Sequence, residues 1–284
     1  MLVIVGSIIV VAAVLTGFTM AGGRVAALIH PSEIVTIGGA AFGALITMCP
    51  KRVLKDLVKG VLQCFKGSPY NKAAYEELFK AMYQLLKMAR YDGVLALEPH
   101  LSDPHQSAIF SKYPTLLKNH HVLKFICGSL AMIVDNSVTP EQLPQLLEAD
   151  IKALEEEHHG PLNVMTKTAD ALPGFGIVAA VLGIVITMGA IDGPVEEIGE
   201  KVGAALVGTF LGILLSYGFL APMAVQMEFI GAAEAAYFRT IANMLDGFAN
   251  NRAPRVVIEQ ARRGTTSDVR PNQEALEEAL KSLD

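Results

Sequence analysis

The sequence predicts an all-α membrane protein with four spans and a large helical insert between the second and third. Three observations predict it. Four long stretches carry no charge: residues 1–23, 34–50, 171–191 and 202–227. The charge deficit is confined to them, although charged residues make up only 18% of the 284-residue chain and hydrophobic ones 52%. An average soluble domain has about 25% charged residues. Finally, no segment of any length alternates apolar and polar residues with the period of two that a strand requires.

Each span follows from its own residues. The first, Leu2–Met20, is long enough to cross about 30 Å of hydrocarbon as a helix. A cleaved signal peptide would need a basic leading region and a shorter apolar core, and both are missing. The second, Ile34–Pro50, lies between Glu33 and Lys51 and is rich in small residues, among them Gly38, Gly39, Gly43 and Ala44. The third runs from Ala171 to Ile191, between Asp170 and Asp192, and the fourth from Val202 to Met227, between Lys201 and Glu228. Short connectors imply two hairpins, one at 1–50 and one at 170–227. They are separated by a cytoplasmic helical domain at 51–169 and followed by a helical tail at 228–284.

Basic residues near span ends set orientation. Residues 51–169 contain fourteen Lys and Arg, four of them in Lys51–Lys59, and the tail after Glu228 holds seven more. The connectors 24–33 and 192–201 contain only Arg24 and Lys201. The insert, the tail and therefore both termini are expected in the cytoplasm, although the stretch before the first span offers no basic residue of its own. The net charge of −5 gives no basic footprint, so nucleic acid is not an expected partner.

Within the insert, Ala73–Met88 places Leu78, Met82, Leu85 and Leu86 on one helical face, and Asp92-Gly93 ends that helix. Thr139-Pro140-Glu141-Gln142 reads as a capping box with proline in the first turn. The helix it opens should run on through Leu154 towards the third span, with His158-His159-Gly160-Pro161 a candidate interruption. The tail should extend the fourth span to about Ala249. Short helices are expected at Val256–Arg263 and Asn272–Leu283, joined by a mobile 264–271 linker. Cys49, Cys64 and Cys127 are scattered and suggest neither a disulfide framework nor a zinc site.

The spans contain three signals. First, none of the four apolar runs holds Asp, Glu, Lys, Arg or His, whereas an ion pathway normally places an ionisable group at membrane depth. Either this chain conducts nothing or a partner supplies the carboxylate. Second, Gly39/Gly43 in span two and Gly208/Gly212/Ser216 in span four recur every four residues and line one helix face with small side chains. Such stripes serve packing within the chain or a ring of subunits. Third, Pro173 and Pro222 stand near the cytoplasmic ends of spans three and four, at similar depth. Each removes a backbone donor, which makes a hinge plausible. Thr209 offers a hydroxyl that faces a polar path or bonds back to its own helix.

The run from Asp170 through Leu172-Pro173-Gly174-Phe175-Gly176 to Val185 resembles the third span of the MotA family of flagellar motor stator subunits. The four-span layout, the long insert, Pro222 and the segment Ala89-Arg90-Tyr91-Asp92-Gly93…Leu97-Glu98-Pro99-His100 are similar too, so the resemblance covers essentially the whole chain. It implies a homo-oligomeric ring around single-span helices of a MotB-type, peptidoglycan-anchored partner that carries a membrane aspartate. It implies a home in the bacterial inner membrane, surrounded by lipid. It also implies that ion flow turns the ring against the rotor switch protein FliG. By the same resemblance, Arg90 and Glu98 are the rotor-facing charges, and Pro173 and Pro222 couple ion passage to movement. Read from the residues alone, Arg90 and Glu98 are an exposed charged pair that adds little stability but can steer association.

Sodium-type relatives carry a threonine where this chain has Ala180. Its absence removes an oxygen ligand and favours protons as the translocated ion; no bound cofactor is expected. Three rival readings fit the residues less well. An ExbB/TolQ-type energiser of a cell-envelope complex is typically three-span. A small-molecule transporter needs polar groups at membrane depth and usually two related halves. A membrane enzyme needs a nucleophile–base pair or a phosphate loop, and none is present. The His120-His121 and His158-His159 pairs do not offer a metal site, because adjacent helical residues do not share a face.

Overall fold

The computed structural model describes residues 2–283, and among them there is no strand. Twelve α-helices account for most of the chain: α1 (Leu2–Met20), α2 (Pro31–Met48), α3 (Lys51–Lys66), α4 (Lys72–Tyr91), α5 (Glu98–Ser102), α6 (Pro114–Lys118), α7 (His120–Val134), α8 (Leu143–Met188), α9 (Val195–Leu215), α10 (Ala221–Ala249), α11 (Pro254–Gly264) and α12 (Gln273–Lys281). A π-helical turn, Ser216–Leu220, joins α9 to α10. Four helical stretches are long and apolar enough to cross a membrane: Leu2–Met20, Val25–Met48, Leu143–Met188 and Val195–Ala249.

The chain divides into two compact units, residues 1–67 with 157–230, and residues 68–156 with 231–284. In the first unit the buried clusters are small. Ile37 and Ala41 of α2 meet Leu172 and Ala179 of α8, while Leu57 of α3 meets Val164, Met165 and Ala224. None of the residues of α1 is buried, and Ile177, Val181, Leu182 and Val185 of α8 are each at least half exposed. Apolar side chains displayed this widely are stable in lipid or against other apolar helices, not in water. Helix α3 is amphipathic. It buries Leu57 and Cys64, leaves Lys51, Arg52, Lys55 and Lys59 at the surface, and pairs Arg52 with Glu157.

The second unit has the core of a water-soluble domain. Leu78, Phe79, Met82, Leu85 and Leu86 of α4 are at most 1% exposed and cluster with Ile126 and Leu130 of α7, Ile241 and Leu245 of α10, and Val257 of α11. Each such side chain contributes about 1.5–3 kcal/mol of burial. Tyr237 stacks on Tyr70 and Tyr75 with ring centroids 5.1 and 4.9 Å apart. The Asn71 side chain caps α4 by accepting from Ala74 N at 3.1 Å. Glu77 caps α6 by accepting from Thr115 N and Leu116 N at 2.9 and 3.2 Å.

Several local expectations change. The His158–Pro161 segment does not interrupt its helix: α8 runs unbroken for 46 residues, with Pro161 and Pro173 inside it. Thr139-Pro140 forms a turn, with Thr139 N donating to Gln142 Oε1 at 3.3 Å, and α8 itself starts at Leu143. The 264–271 linker is held in place by Arg270, which donates to the Thr265 carbonyl at 2.7 and 2.9 Å. Burial pushes the Cys127 thiol up to about 11, which leaves it protonated and inert.

Candidate functional site

In the first unit α8 and α9 approach backbone to backbone. An ideal Cβ at Gly212 would stand 2.7 Å from the Leu172 carbonyl and 2.9 Å from Gly176 Cα, and one at Gly176 would stand 3.0 Å from the Gly208 carbonyl. Only glycine fits such a crossing. The small-residue stripe of span four is therefore used for packing within the chain. Gly39 and Gly43 of α2 have nothing within 4 Å of an added Cβ, so that stripe meets no neighbour within the chain.

Pro173 lies in α8, four residues after Ala169. Proline has no N–H, so the Ala169 carbonyl loses its ordinary helical donor. Ser216 replaces it: its Oγ donates to Ala169 O at 2.6 Å, and Ser216 is only 1% exposed. Ser216 is the first residue of the π-helical turn, and Pro222 follows that turn by two residues. Pro222 likewise cannot donate to Gly218, inside the turn. A π-turn is where a helix carries a local irregularity, often at a functional site. The two prolines thus mark one assembly, in which the break made by the first is filled from the irregular turn that precedes the second.

Thr209 and Ala180 are half-buried, and Thr209 Cα lies 3.2 Å from an ideal Cβ on Gly176. Thr36, Thr47 and Thr187 donate to carbonyls four residues back on their own helices. Among the described residues Thr209 makes no such bond.

The acid-free description of the spans needs a correction. Helix α2 begins at Pro31, not Ile34, so Glu33 sits in its first turn. Glu33 is 7% exposed, and its Oε2 is buried with no hydrogen-bond partner. Hydropathy cut the span at the charge and so excluded it. The signal available in the sequence was His30-Pro31-Ser32-Glu33, a helix start with proline at its first position and an acid two residues on.

Arg90 and Glu98 belong to the second unit. Arg90 lies in the last turn of α4, Glu98 opens α5, and both are exposed. Arg90 donates to the Asn251 carbonyl at 3.3 Å. Among the described residues no ion pair joins Arg90 to Glu98. Asp92, Gly93 and a 3-10 turn at Val94–Leu97 separate their helices, and Gly93 has a φ of +90°, which a side chain would strain. Among the described residues no cluster of three metal-ligating side chains occurs.

Comparison with known proteins supplies the family. Residues 4–93 match the Motility protein A N-terminal family, and residues 117–239 match the MotA/TolQ/ExbB proton channel family. The chain is 34% identical over 283 residues to Motility protein A of Salmonella typhimurium, covering 100% of this chain and 96% of that one. It is equally similar to Motility protein A of Escherichia coli, and 36% identical over 275 residues to chemotaxis protein LafT of Vibrio parahaemolyticus, covering 97% and 96%. Its fold is that of two solved structures. One is the C. jejuni MotAB structure, with a TM-score of 0.78 at 23% identity, covering 95% of this chain and 98% of that one. The other is the flagellar MotAB stator complex of Bacillus subtilis, with a TM-score of 0.75 at 22% identity, covering 97% and 98%. With two family matches and relatives aligned along its whole length, the chain belongs to the Motility protein A family of multi-pass inner-membrane proteins.

Proposed function

We propose that this chain is a stator subunit of the bacterial flagellar motor. It forms a homo-oligomeric ring with a MotB-type single-span partner, passes protons, and exerts torque on the rotor switch protein FliG. One observation carries the reading: the membrane helices join the four-span fold of the family to apolar faces left uncovered by this chain. A lone protein would cover them with lipid only. A ring around partner helices would cover the inner ones with protein.

The apolar middles of the spans, residues 34–50, 171–191 and 202–227, still hold no acid. The main working carboxylate therefore belongs to the partner. Pro173, Ser216 and Pro222 form the bend through which occupancy of the path moves α8 and α9. Ala180 and Thr209 line the path, and the missing hydroxyl at residue 180 favours protons over sodium. Arg90 and Glu98 meet the rotor from the cytoplasmic side, which also holds both termini. Mild extraction of the membranes followed by co-purification tests the assembly. A single-span protein with one membrane aspartate should be recovered with several copies of this chain. Recovery of this chain alone, as a monomer, would overturn it.

A further inference from the structure

Glu33 combines two properties that rarely meet. An acid in the first turn of a helix is favourably placed, because the free N–H groups there carry partial positive charge. Such acids usually stand in water or accept a hydrogen bond. The Oε2 of Glu33 does neither: it is buried and unpartnered at the start of a membrane helix. Leaving a buried acceptor unsatisfied costs about 1–3 kcal/mol, more for a charged one. An ionisable group retained at that cost within a membrane span marks function by default.

The surroundings define what it can hold. An ideal Cβ at Gly208 of α9 would lie 2.5 Å from Oε2 and 3.1 Å from Ala179 Cβ of α8. The carboxyl therefore sits in a notch that exists because residue 208 has no side chain. Neither residue meeting it from α8 or α9 is titratable. The nearest ionisable groups along the packed elements are His30, three residues earlier, and Glu200 and Lys201, about two turns before Gly208. The His30 ring bonds the Ala27 carbonyl at 3.1 Å, and Lys201 pairs with Glu197 at 2.7 Å. Asp192 lies in the loop between α8 and α9. A cavity of about 730 Å³ in the same unit is lined by Val14, Phe18, His30, Glu200, Val207 and Phe210, and Glu33 itself is not in its wall. Its walls include His30, one turn before Glu33, and Val207, the neighbour of Gly208. One free oxygen facing glycine and alanine cannot satisfy sodium, a hard ion that needs several oxygens; a proton needs one.

We propose that Glu33 is a proton-carrying carboxyl of this chain's own. A proton entering on the side of the residue 21–30 connector forms an O–H bond at Oε2. That bond breaks when the proton passes to the partner carboxylate, and no electrons change hands. The inference rests on the stator reading for its last acceptor, but the loading of Glu33 does not. The notch at Gly208 sets the position of the carboxyl, so G208A displaces Oε2, the end of a flexible side chain, while the 3.1 Å approach to Ala179 Cβ makes α8 and α9 give by a few tenths of an ångström.

The test uses the purified complex with its partner. Infrared spectra are recorded through a pH titration, and proton flux is measured after reconstitution. The wild type should show a carboxyl C=O band that rises and falls with pH and is missing from E33Q. E33Q should lower flux at least about a hundredfold, the lower end expected for losing a positioned proton-transfer group. E33D, which keeps the acid, should conduct with a displaced pH profile, and G208A should shift the band. An identical titrating band in E33Q, equal flux in E33Q and wild type, or equal loss of assembly in E33Q and E33D would each overturn the proposal. Flux that follows sodium at fixed pH would overturn the choice of proton. Failure of the stator reading looks different: the complex would not restore motility, yet the Glu33 band would still titrate.

Discussion

Ser216 donates a 2.6 Å hydrogen bond to the carbonyl of Ala169, the acceptor that Pro173 leaves without a donor in its own helix. The bond crosses between α8 and the π-turn that precedes Pro222. It fixes the two irregular helices to one another at the point where each is weakest, and it can be made or lost without breaking either helix.

Removing the hydroxyl tests that link. S216A leaves the Ala169 carbonyl buried and unsatisfied, at a cost of about 1–3 kcal/mol. Restoring the backbone donor with P173A makes the serine redundant. The double variant should therefore lose less than the sum of the singles in thermal unfolding of the purified complex. Rotation should slow in both singles while membrane levels stay normal. Strict additivity would show that Ser216 and Pro173 are not coupled.

The glycine crossing gives a contrast between two stripes. G212A brings a methyl against the Leu172 carbonyl and Gly176 backbone, which cannot move aside, and should lower stability by about 1–3 kcal/mol through overpacking. G43A meets open space within this chain and should leave its unfolding temperature unchanged. A thermal melt of each purified variant distinguishes them.

Reversing Arg90 or Glu98 should impair swimming with little effect on the amount of protein in the membrane. Both side chains are exposed, and the single backbone bond of Arg90 is on the surface, so the loss of stability should stay below about 1 kcal/mol. Immunoblots of membranes alongside motility assays check this. Disappearance of the protein would assign these residues to folding.

The tail carries an acid-sensitive anchor. Arg262 and Arg263 hold the Glu259 carboxyl at about 2, well below its ordinary 4.5, through hydrogen bonds of 2.7–2.9 Å. A depressed carboxyl stabilises the fold fully above its unfolded value and loses that contribution as pH falls towards its folded one. The melting temperature of the wild type should therefore drop between about pH 4.5 and 2. E259Q should be less stable at neutral pH and show a shallower acid slope.

Much of this was legible in the sequence, for physical reasons. Four spans declare themselves because hydrocarbon excludes charge, and Asp92-Gly93 ends α4 because Gly93 needs a positive φ. The prolines were visible as missing donors. Their connection through Ser216 was not, because it is a contact 47 residues apart in the chain. Glu33 was missed because hydropathy ends a span at a charge, whereas a helix begins at its cap. Pro161 does not break its helix: just beyond it Leu162, Val164 and Met165 pack with Leu57 and Val53 of α3, and α8 continues through the lost hydrogen bond.

Ion choice is open to a direct reading. At fixed pH, swimming speed should be flat against sodium concentration, because Ala180 supplies no oxygen ligand. A180T alone should not create a sodium requirement unless other ligands are present. A steep sodium dependence in the unaltered protein would reject the proton assignment.

The central claim is that this chain generates torque in the motor, and the most direct test is the speed of single motors. In cells lacking the chain, a bead on one flagellar stub should not rotate. As the chain is re-expressed with its partner, speed should rise in discrete, equal steps as units join, and each step should collapse when the proton-motive force is removed. Rotation at full speed without the chain, or re-expression that restores no steps, would contradict the account.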